Sequence, residues 1–216
     1  QTAAFMADFA CWNEERSCFE LGPPFISARE QGSRSFAQNK NGAFELAYWR
    51  WGLHKANEWR HRLGQAKNRR WDEVADKLAP LPINDGVYTE QEQELVEDSG
   101  HPCPLAAWGF LPRMPVVDEE RMAATLAHVL NNWDFEDTWG WDYPMMAFTA
   151  ARLGRGEWAI QSLLLEATAN TYRASGHNYQ TENLPLYLPG NGGLLAAVAM
   201  MAAGWDGAPE VHAPGF

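Results

Sequence analysis

Apolar residues recur at helical spacing through most of the sequence, whereas the alternation typical of β-strands is almost absent. The strongest pattern lies in Asn41–Leu63, and Gly64 follows it at the position of a C-cap. This distribution predicts an all-α fold, with residues 1–216 forming a single α-helical domain. The other predicted helices are Thr2–Asn13, Trp71–Ala79, Asp118–Asn132, Tyr143–Leu153, Glu157–Tyr172 and Gly193–Ala203.

The connections between these helices differ greatly in length. Residues 81–115 are predicted to be irregular, with a turn at Asp85-Gly86, and Ser175–Gly193 forms a long polar and glycine-rich connection. Helix pairs with unequal connections can pack side by side into an α/α toroid or solenoid, and the long loops then collect at one end. Because loops on a rigid scaffold often carry function, that end is where a site is expected.

The chain has 28 acidic and 17 basic residues, which gives a formal net charge of -11. Such a charge opposes approach to phosphates, so neither a nucleic acid nor an anionic membrane is an expected partner. No apolar run approaches the roughly 20 residues that span a bilayer. The 11 Trp residues instead favour a ligand with both apolar and polar faces, because indole rings suit such contacts.

Three cysteines, Cys11, Cys18 and Cys103, form no Cys-x-x-Cys pair and lack the His partners of a zinc site. We therefore expect neither a metal nor a cofactor, and we expect the thiols to be ordinary buried side chains. A disulfide between Cys11 and Cys18 is the alternative.

A proline-containing loop, Leu21–Gln31, places Glu30 beside Arg29 ahead of the long helix. A carboxyl group held at the mouth of a helical scaffold can act as a general acid if burial raises its pKa. The alternative is a solvated surface carboxylate, which is the commoner state of an isolated Glu.

The segment Trp133–Pro144 concentrates three Trp residues and four acidic residues between two predicted helices. Aromatic faces stack on the CH faces of sugars, and carboxylates accept hydrogen bonds from hydroxyl groups, so the segment suits a neutral polyol. The alternative is an aromatic lid over the core in which Asp142 caps the following helix. Asp142 could serve both purposes.

Two stretches that contain glycine, Gly176–Gln180 and Pro189–Gly193, precede the last predicted helix. Glycine allows backbone N–H groups to approach a ligand, and a helix start offers free donors, so a hydroxyl or a phosphate could bind there. His177 has no second His or Cys at ligand spacing, so no metal role is expected and a backbone-bonded loop histidine is the alternative.

Several motifs follow one another along the chain: Ser27–Glu30, the Trp-rich helix, Gly140–Asp142, Ala151–Gly154 and Leu188–Gly193. This order resembles the C-terminal half of an (α/α)6 six-hairpin glycosidase barrel. The resemblance is closest to glycoside hydrolase family 95, with its α-L-fucosidases and α-galactosidases, and to uncharacterised bacterial relatives, and is more distant to family 65. It implies an incomplete α/α toroid, and hence a natural or experimental fragment of a larger catalytic domain.

The resemblance also implies an inverting glycoside hydrolase in which Glu30 is the general acid. The general-base Asp of the family falls on Pro189, which cannot accept a proton. Another carboxylate must then serve, either Asp142 or Glu182, and the aromatic surroundings favour Asp142. The expected substrate-binding residues are Asn41, Trp49, Trp139, Trp141, His177, Asn178 and Asn191.

Two alternatives to hydrolysis remain open, a non-catalytic sugar-binding remnant and a phosphate-dependent disaccharide phosphorylase. The carbohydrate is the expected ligand in each case. An incomplete toroid would expose apolar helix faces, which predicts self-association or pairing with a missing N-terminal half. A bacterial periplasmic or secreted location would suit an enzyme that degrades glycans.

Overall fold

The computed structural model describes residues 1–28, 37–92 and 98–216. These residues form a helix-rich chain, as the sequence predicts, with strands confined to three small antiparallel hairpins. The helices are α1 (Thr2–Phe9), α2 (Ala43–Arg62), α3 (Arg69–Asp76), α4 (Ala106–Gly109), α5 (Glu119–Asn132), α6 (Asp142–Arg152), α7 (Gly156–Leu163) and α8 (Leu188–Ala203). The strand pairs are β1 (Ala10–Asn13) with β2 (Cys18–Leu21), β3 (Ile83–Asn84) with β4 (Val87–Tyr88), and β5 (Thr171–Tyr172) with β6 (Asn178–Tyr179).

Helix starts follow the capping chemistry of the sequence. Asp118 precedes α5, as predicted, and its carboxylate accepts a hydrogen bond from the Arg121 N–H at 2.7 Å. Asn68 caps α3 in the same way by accepting from the Arg70 N–H at 3.0 Å. That cap moves the start of α3 ahead of the predicted Trp71.

Two predicted helices are shorter in the structure. The first ends at Phe9 because residues 10–13 pair with β2, so the predicted Thr2–Asn13 helix is wrong over its last turn. The predicted Glu157–Tyr172 helix ends at Leu163. There the Asn170 side-chain amide donates to the carbonyl of Leu163 at 3.1 Å, and the chain turns into a 3₁₀ segment and β5.

The last helix begins earlier than predicted, at Leu188 instead of Gly193. Pro189 lies in its first turn, where its missing N–H removes no helical hydrogen bond. The residues 81–115 predicted as irregular include β3, β4 and α4, although the predicted turn at Asp85-Gly86 is confirmed. Within the described residues, no helix combines the length and apolarity needed to cross a membrane.

Alternate helices pack in a row. Helix α2 contacts α4, α4 contacts α6, and α6 contacts α8, while α1 and α3 pack on α2 and α5 and α7 pack on α6. The contacts between these helices form one core with fully buried side chains from several of them. Examples from α2, α6 and α8 are Leu46, Leu53, Met145, Met146 and Met201.

Three contacts join α6 to the segment before α4 and to the first turns of α8. His101 contacts Asp142 at the start of α6, and the Thr149 hydroxyl, further along α6, donates to the Leu105 carbonyl at 3.0 Å. The segment 101–105 therefore runs alongside α6 in the same direction. Gly193, in the first turns of α8, lies against Pro144 of α6, so closely that a Cβ would lie 2.6 Å from its Cγ.

The cysteines form no disulfide. None of the three thiols is part of a disulfide, and the β1–β2 register places Cys11 opposite Glu20 and Cys18 opposite Asn13. Cys18 and Cys103 are buried as expected, whereas Cys11 is exposed because it lies on the outward face of β1.

Candidate functional site

A buried His–Asp pair lies at the amino end of α6. The Nδ1 atom of His101 is 3.0 and 2.9 Å from the two carboxylate oxygens of Asp142, and the Trp139 N–H donates to Oδ2 at 2.8 Å. The Asp142 side chain is 0% exposed and the His101 side chain 12%. Burial raises the pKa of Asp142, against the hydrogen bond and charge of His101. A hydrogen on Nδ1 satisfies the carboxylate and leaves Nε2 as an acceptor.

The chain on both sides of His101 is held by hydrogen bonds. The Asp134 N–H donates to the Asp98 carbonyl at 2.6 Å, and the Trp133 indole donates to the Gly100 carbonyl at 2.8 Å. After the histidine, the Cys103 N–H donates to the His101 carbonyl at 2.8 Å. These bonds fix the direction from which the imidazole enters the site.

Aromatic rings surround the imidazole. Its centroid is 4.9 Å from the Trp141 ring and 5.9 Å from the Trp139 ring. The ring centroids of Trp139 and Tyr187 are 5.5 Å apart. The Trp141 ring stacks on the Phe110 ring with a centroid distance of 6.5 Å. The two Trp rings beside the imidazole therefore connect it to aromatic rings from two other segments of the chain.

Trp141 and Tyr187 also line a groove of about 540 Å³ between α6 and α8. Its volume lies in the range of small-molecule sites. Pro189, on which the resemblance places the general base, is part of the same wall. The remaining lining residues are Phe110, Pro144, Met145, Phe148, Gly192, Gly193 and Ala196.

Buried amides hold the aromatic turn against α8. The Gly140 N–H donates to Gln180 Oε1 at 2.9 Å, and Gln180 Nε2 donates to the Thr138 carbonyl at 3.0 Å. Asn178 Oδ1 lies between Gly140 and Gly190, where a Cβ on either glycine would collide with it. Glycine at both positions thus lets the two segments close around one asparagine.

Of the predicted site residues, Trp141 lines the groove, and Trp139 and Asp142 lie next to it around His101. Glu30 lies outside the described residues. Asp142 is too deeply buried to face the groove, and its oxygens already accept hydrogen bonds from His101 and Trp139. Glu182, the other candidate base, is exposed.

Two of the predicted polar ligands, Asn178 and Asn191, are engaged within the fold. The Asn178 amide donates to the Ala169 carbonyl at 3.0 Å, and its backbone N–H donates to Asn191 Oδ1 at 2.9 Å. Asn191 Nδ2 in turn donates to the Gly176 carbonyl at 2.8 Å, so both asparagines tie the 169–178 hairpin to α8. His177 is exposed at the tip of that hairpin.

The remaining two predicted residues lie elsewhere. The Trp49 indole donates to the Met6 carbonyl at 3.0 Å and thereby joins α2 to α1. Asn41 is fully buried with φ +56°, and its side-chain oxygen accepts from the Leu21 N–H at 2.9 Å. Both side chains therefore serve packing near the first two helices.

A second buried carboxyl group lies in the first turn of α2. Glu45 is 7% exposed, and its Oε1 accepts from the Ala28 N–H at 2.5 Å. Within the described residues, Oε2 has no hydrogen-bond partner. Burial raises the pKa of Glu45 to about 7, although hydrogen bonds from the N–H groups of Ala28 and of Glu45 itself oppose the shift.

Sequence reasoning did not single out His101 or Tyr187. The segment Gly100–Pro104 offered a signal for the first of these, since a His between Gly and Pro in an irregular region has a restricted backbone. Across residues 1–28, 37–92 and 98–216, no group of three or more His, Cys, Asp and Glu side chains could hold a metal ion. No family model matches the sequence, and no curated protein matches it as a relative.

Proposed function

We propose that this chain belongs to a glycoside hydrolase of the six-hairpin type, which acts by inversion, and that its saccharide binds in the groove between α6 and α8. One observation carries the proposal: a groove walled by aromatic rings borders a buried His–Asp pair. Aromatic walls suit the apolar faces of a sugar, and the pair supplies a group able to exchange protons.

The order of helix packing supports an α/α toroid. In such a fold, alternate helices form an inner ring and the helices between them form an outer ring. The row α2–α4–α6–α8, with α1, α3, α5 and α7 packed against it, is the packing order expected for part of such a ring pair. Pro189 on the groove wall supports the same location, because the resemblance places the family's general base at that position.

Inversion needs a general acid on one side of the glycosidic bond and a general base on the other, with room for a water between them. The resemblance supplies Glu30 as the acid. Water then attacks the anomeric carbon, the bond from that carbon to the leaving oxygen breaks, and the acid protonates that oxygen. The water gives one of its two protons to the base and keeps the other as the new hydroxyl group.

The test is hydrolysis of p-nitrophenyl α-L-fucoside, α-D-galactoside and a panel of other glycosides by the full-length protein. The anomer formed first is identified by NMR. We expect an inverted product and expect Trp141→Ala to weaken saccharide binding about tenfold, equivalent to about 1.4 kcal/mol. Trp59→Ala is the matched control, because Trp59 is exposed on α2 away from the groove.

Other results would contradict the proposal. A product with retained configuration would exclude the inverting mechanism. Binding without release of any product would favour the non-catalytic alternative, and cleavage that requires phosphate would favour the phosphorylase. Equal effects of Trp141→Ala and Trp59→Ala would place the saccharide outside the groove.

A further inference from the structure

Asp142 lies too deep to act on a water molecule directly. Its side chain is 0% exposed, and both oxygens are within hydrogen-bond distance of His101 Nδ1. The Trp139 N–H occupies Oδ2 as well. This carboxylate can therefore act on a bound molecule only through the imidazole, which lies beside the groove residue Trp141.

The imidazole is held at one nitrogen and available at the other. Nδ1 faces Asp142, whereas Nε2 forms no hydrogen bond to any part of the chain that the structure describes. The rings of Trp139 and Trp141 flank the imidazole, and Trp141 lines the groove. A ring fixed in this way points a neutral acceptor nitrogen in one direction, and a carboxylate behind it stabilises the imidazolium that forms.

A second His–Asp pair, His128 with Asp98, differs from the first in the partners of its imidazole nitrogens. His128 Nε2 is 2.6 Å from Asp98 Oδ1, and its Nδ1 is 3.3 Å from Asn132 Nδ2, so both ring nitrogens have partners. The side chains of His128 and Asp98 are 29% and 38% exposed. In the part of the chain that the structure describes, both ring nitrogens of His128 have partners and neither bonds to a groove residue, which makes this pair a matched control.

We infer that His101 Nε2 is the general base of the groove and that Asp142 is its positioning residue. The inference rests on the proposed function. It assigns the role of general base, which Pro189 cannot fill, to His101 instead of Asp142. Nε2 accepts a proton from water as the water oxygen bonds to the anomeric carbon. The glycosidic bond breaks, its leaving oxygen takes the proton of the general acid, and both groups re-equilibrate with solvent after release.

The test compares His101→Ala, Asp142→Asn and His128→Ala in the full-length protein. The substrates are the methyl and 2,4-dinitrophenyl glycosides of the sugar that the unaltered protein cleaves. A dinitrophenolate leaves without a proton, so loss of the general acid spares that substrate, whereas loss of the base affects both. We expect His101→Ala to lower kcat about 10²- to 10⁴-fold on both substrates with little change in KM.

Two further readouts separate chemistry from folding. Added imidazole should restore part of the kcat of His101→Ala by occupying the vacated space. Asp142→Asn should lower kcat and should also remove the preference for hydrogen on Nδ1, which ¹⁵N NMR of the histidine ring reports. His128→Ala should leave kcat within about twofold, since it lies outside the groove.

The inference is overturned if folded His101→Ala keeps the kcat of the unaltered protein, a result that leaves the proposed function standing. It is also overturned if activity is lost and imidazole does not restore it. If His101→Ala fails to fold, His101→Gln replaces it, because an amide can still bond to Asp142 but is not basic. If the unaltered protein cleaves no glycoside, the proposed function and this inference both fail.

Discussion

Glu20 and Glu45 are almost equally buried, at 6% and 7% exposed, but their surroundings change their pKa values in opposite directions. For Glu20, burial alone would raise the pKa, but hydrogen bonds from Asn13 and Lys40 and the charges of Lys40 and Arg16 outweigh it and lower the pKa. For Glu45, burial prevails and raises the pKa to about 7. Partners, and not depth, therefore decide the charge of a carboxyl group in this fold.

The surroundings of Glu20 and Glu45 also differ in which parts of the chain supply the hydrogen-bonding and charged partners. Lys40 lies 3.0 Å from Glu20, and Arg16 reaches both Glu20 and Glu92, so cations from two segments meet at β2. Glu45 instead holds the N–H of Ala28, two residues before Glu30 in the sequence. The Glu45 carboxyl group thereby joins the start of α2 to the backbone of Ala28.

The largest expected effect is the pH dependence of Glu45→Gln. The folded-state pKa of about 7 lies above the ordinary value of 4.5, so the contribution of Glu45 is complete below pH 4.5 and is lost as the pH rises to about 7. The difference corresponds to a free energy on the order of 3 kcal/mol. Urea denaturation should show Glu45→Gln more stable than the unaltered protein at pH 8 and equal to it near pH 4.

Glu58→Gln is the control, because Glu58 is an exposed residue of the same helix and should follow the unaltered protein at both pH values. A Glu45→Gln variant whose stability relative to the unaltered protein is the same at pH 4 and pH 8 would show that Glu45 ionises as an exposed residue does.

The next largest effect is expected for Glu20→Gln, which should lower the stability at neutral pH, whereas Glu45→Gln should raise it. The pKa of Glu20 is lowered in the folded state, so its contribution is present above the unfolded pKa and is lost as the pH falls through the folded one. Removing its charge leaves Lys40 with a weaker partner, and we expect a loss of about 2 kcal/mol at pH 7. The loss should shrink below pH 4, as measured by urea denaturation. An equal loss at pH 3 and pH 7 would contradict an ionic role.

Arg16→Met should have the smallest effect. The Arg16 side chain is 35% exposed, and solvent screens its attraction to Glu20 and Glu92. Lys40 remains as a partner of both carboxylates, so we expect a loss of about 0.5 to 1 kcal/mol that decreases in 1 M NaCl. A loss as large as that of Glu20→Gln would mean that Arg16 and not Lys40 compensates the buried charge.

The sequence predicted the elements of the site that are adjacent in the chain. Trp139, Trp141 and Asp142 stand within four residues of one another, and residue chemistry alone marked them as a candidate ligand surface. His101 is 41 residues from Asp142, and no periodicity or motif connects them. Asn178 and Asn191 were predicted as ligands from residue type, and the fold uses their amides for its own carbonyl and N–H groups.

The sequence by itself determined the helix-rich class, the long helix α2 and the start of α5 at its Asp118 cap, because these depend on groups within one or two helical turns. The tertiary structure decided where α1 and α7 end, since strand pairing and the Asn170 cap interrupt locally helical sequence. It also decided which carboxyl groups keep a charge. A pKa depends on burial and on cations from other segments, and both exist only after the chain has folded.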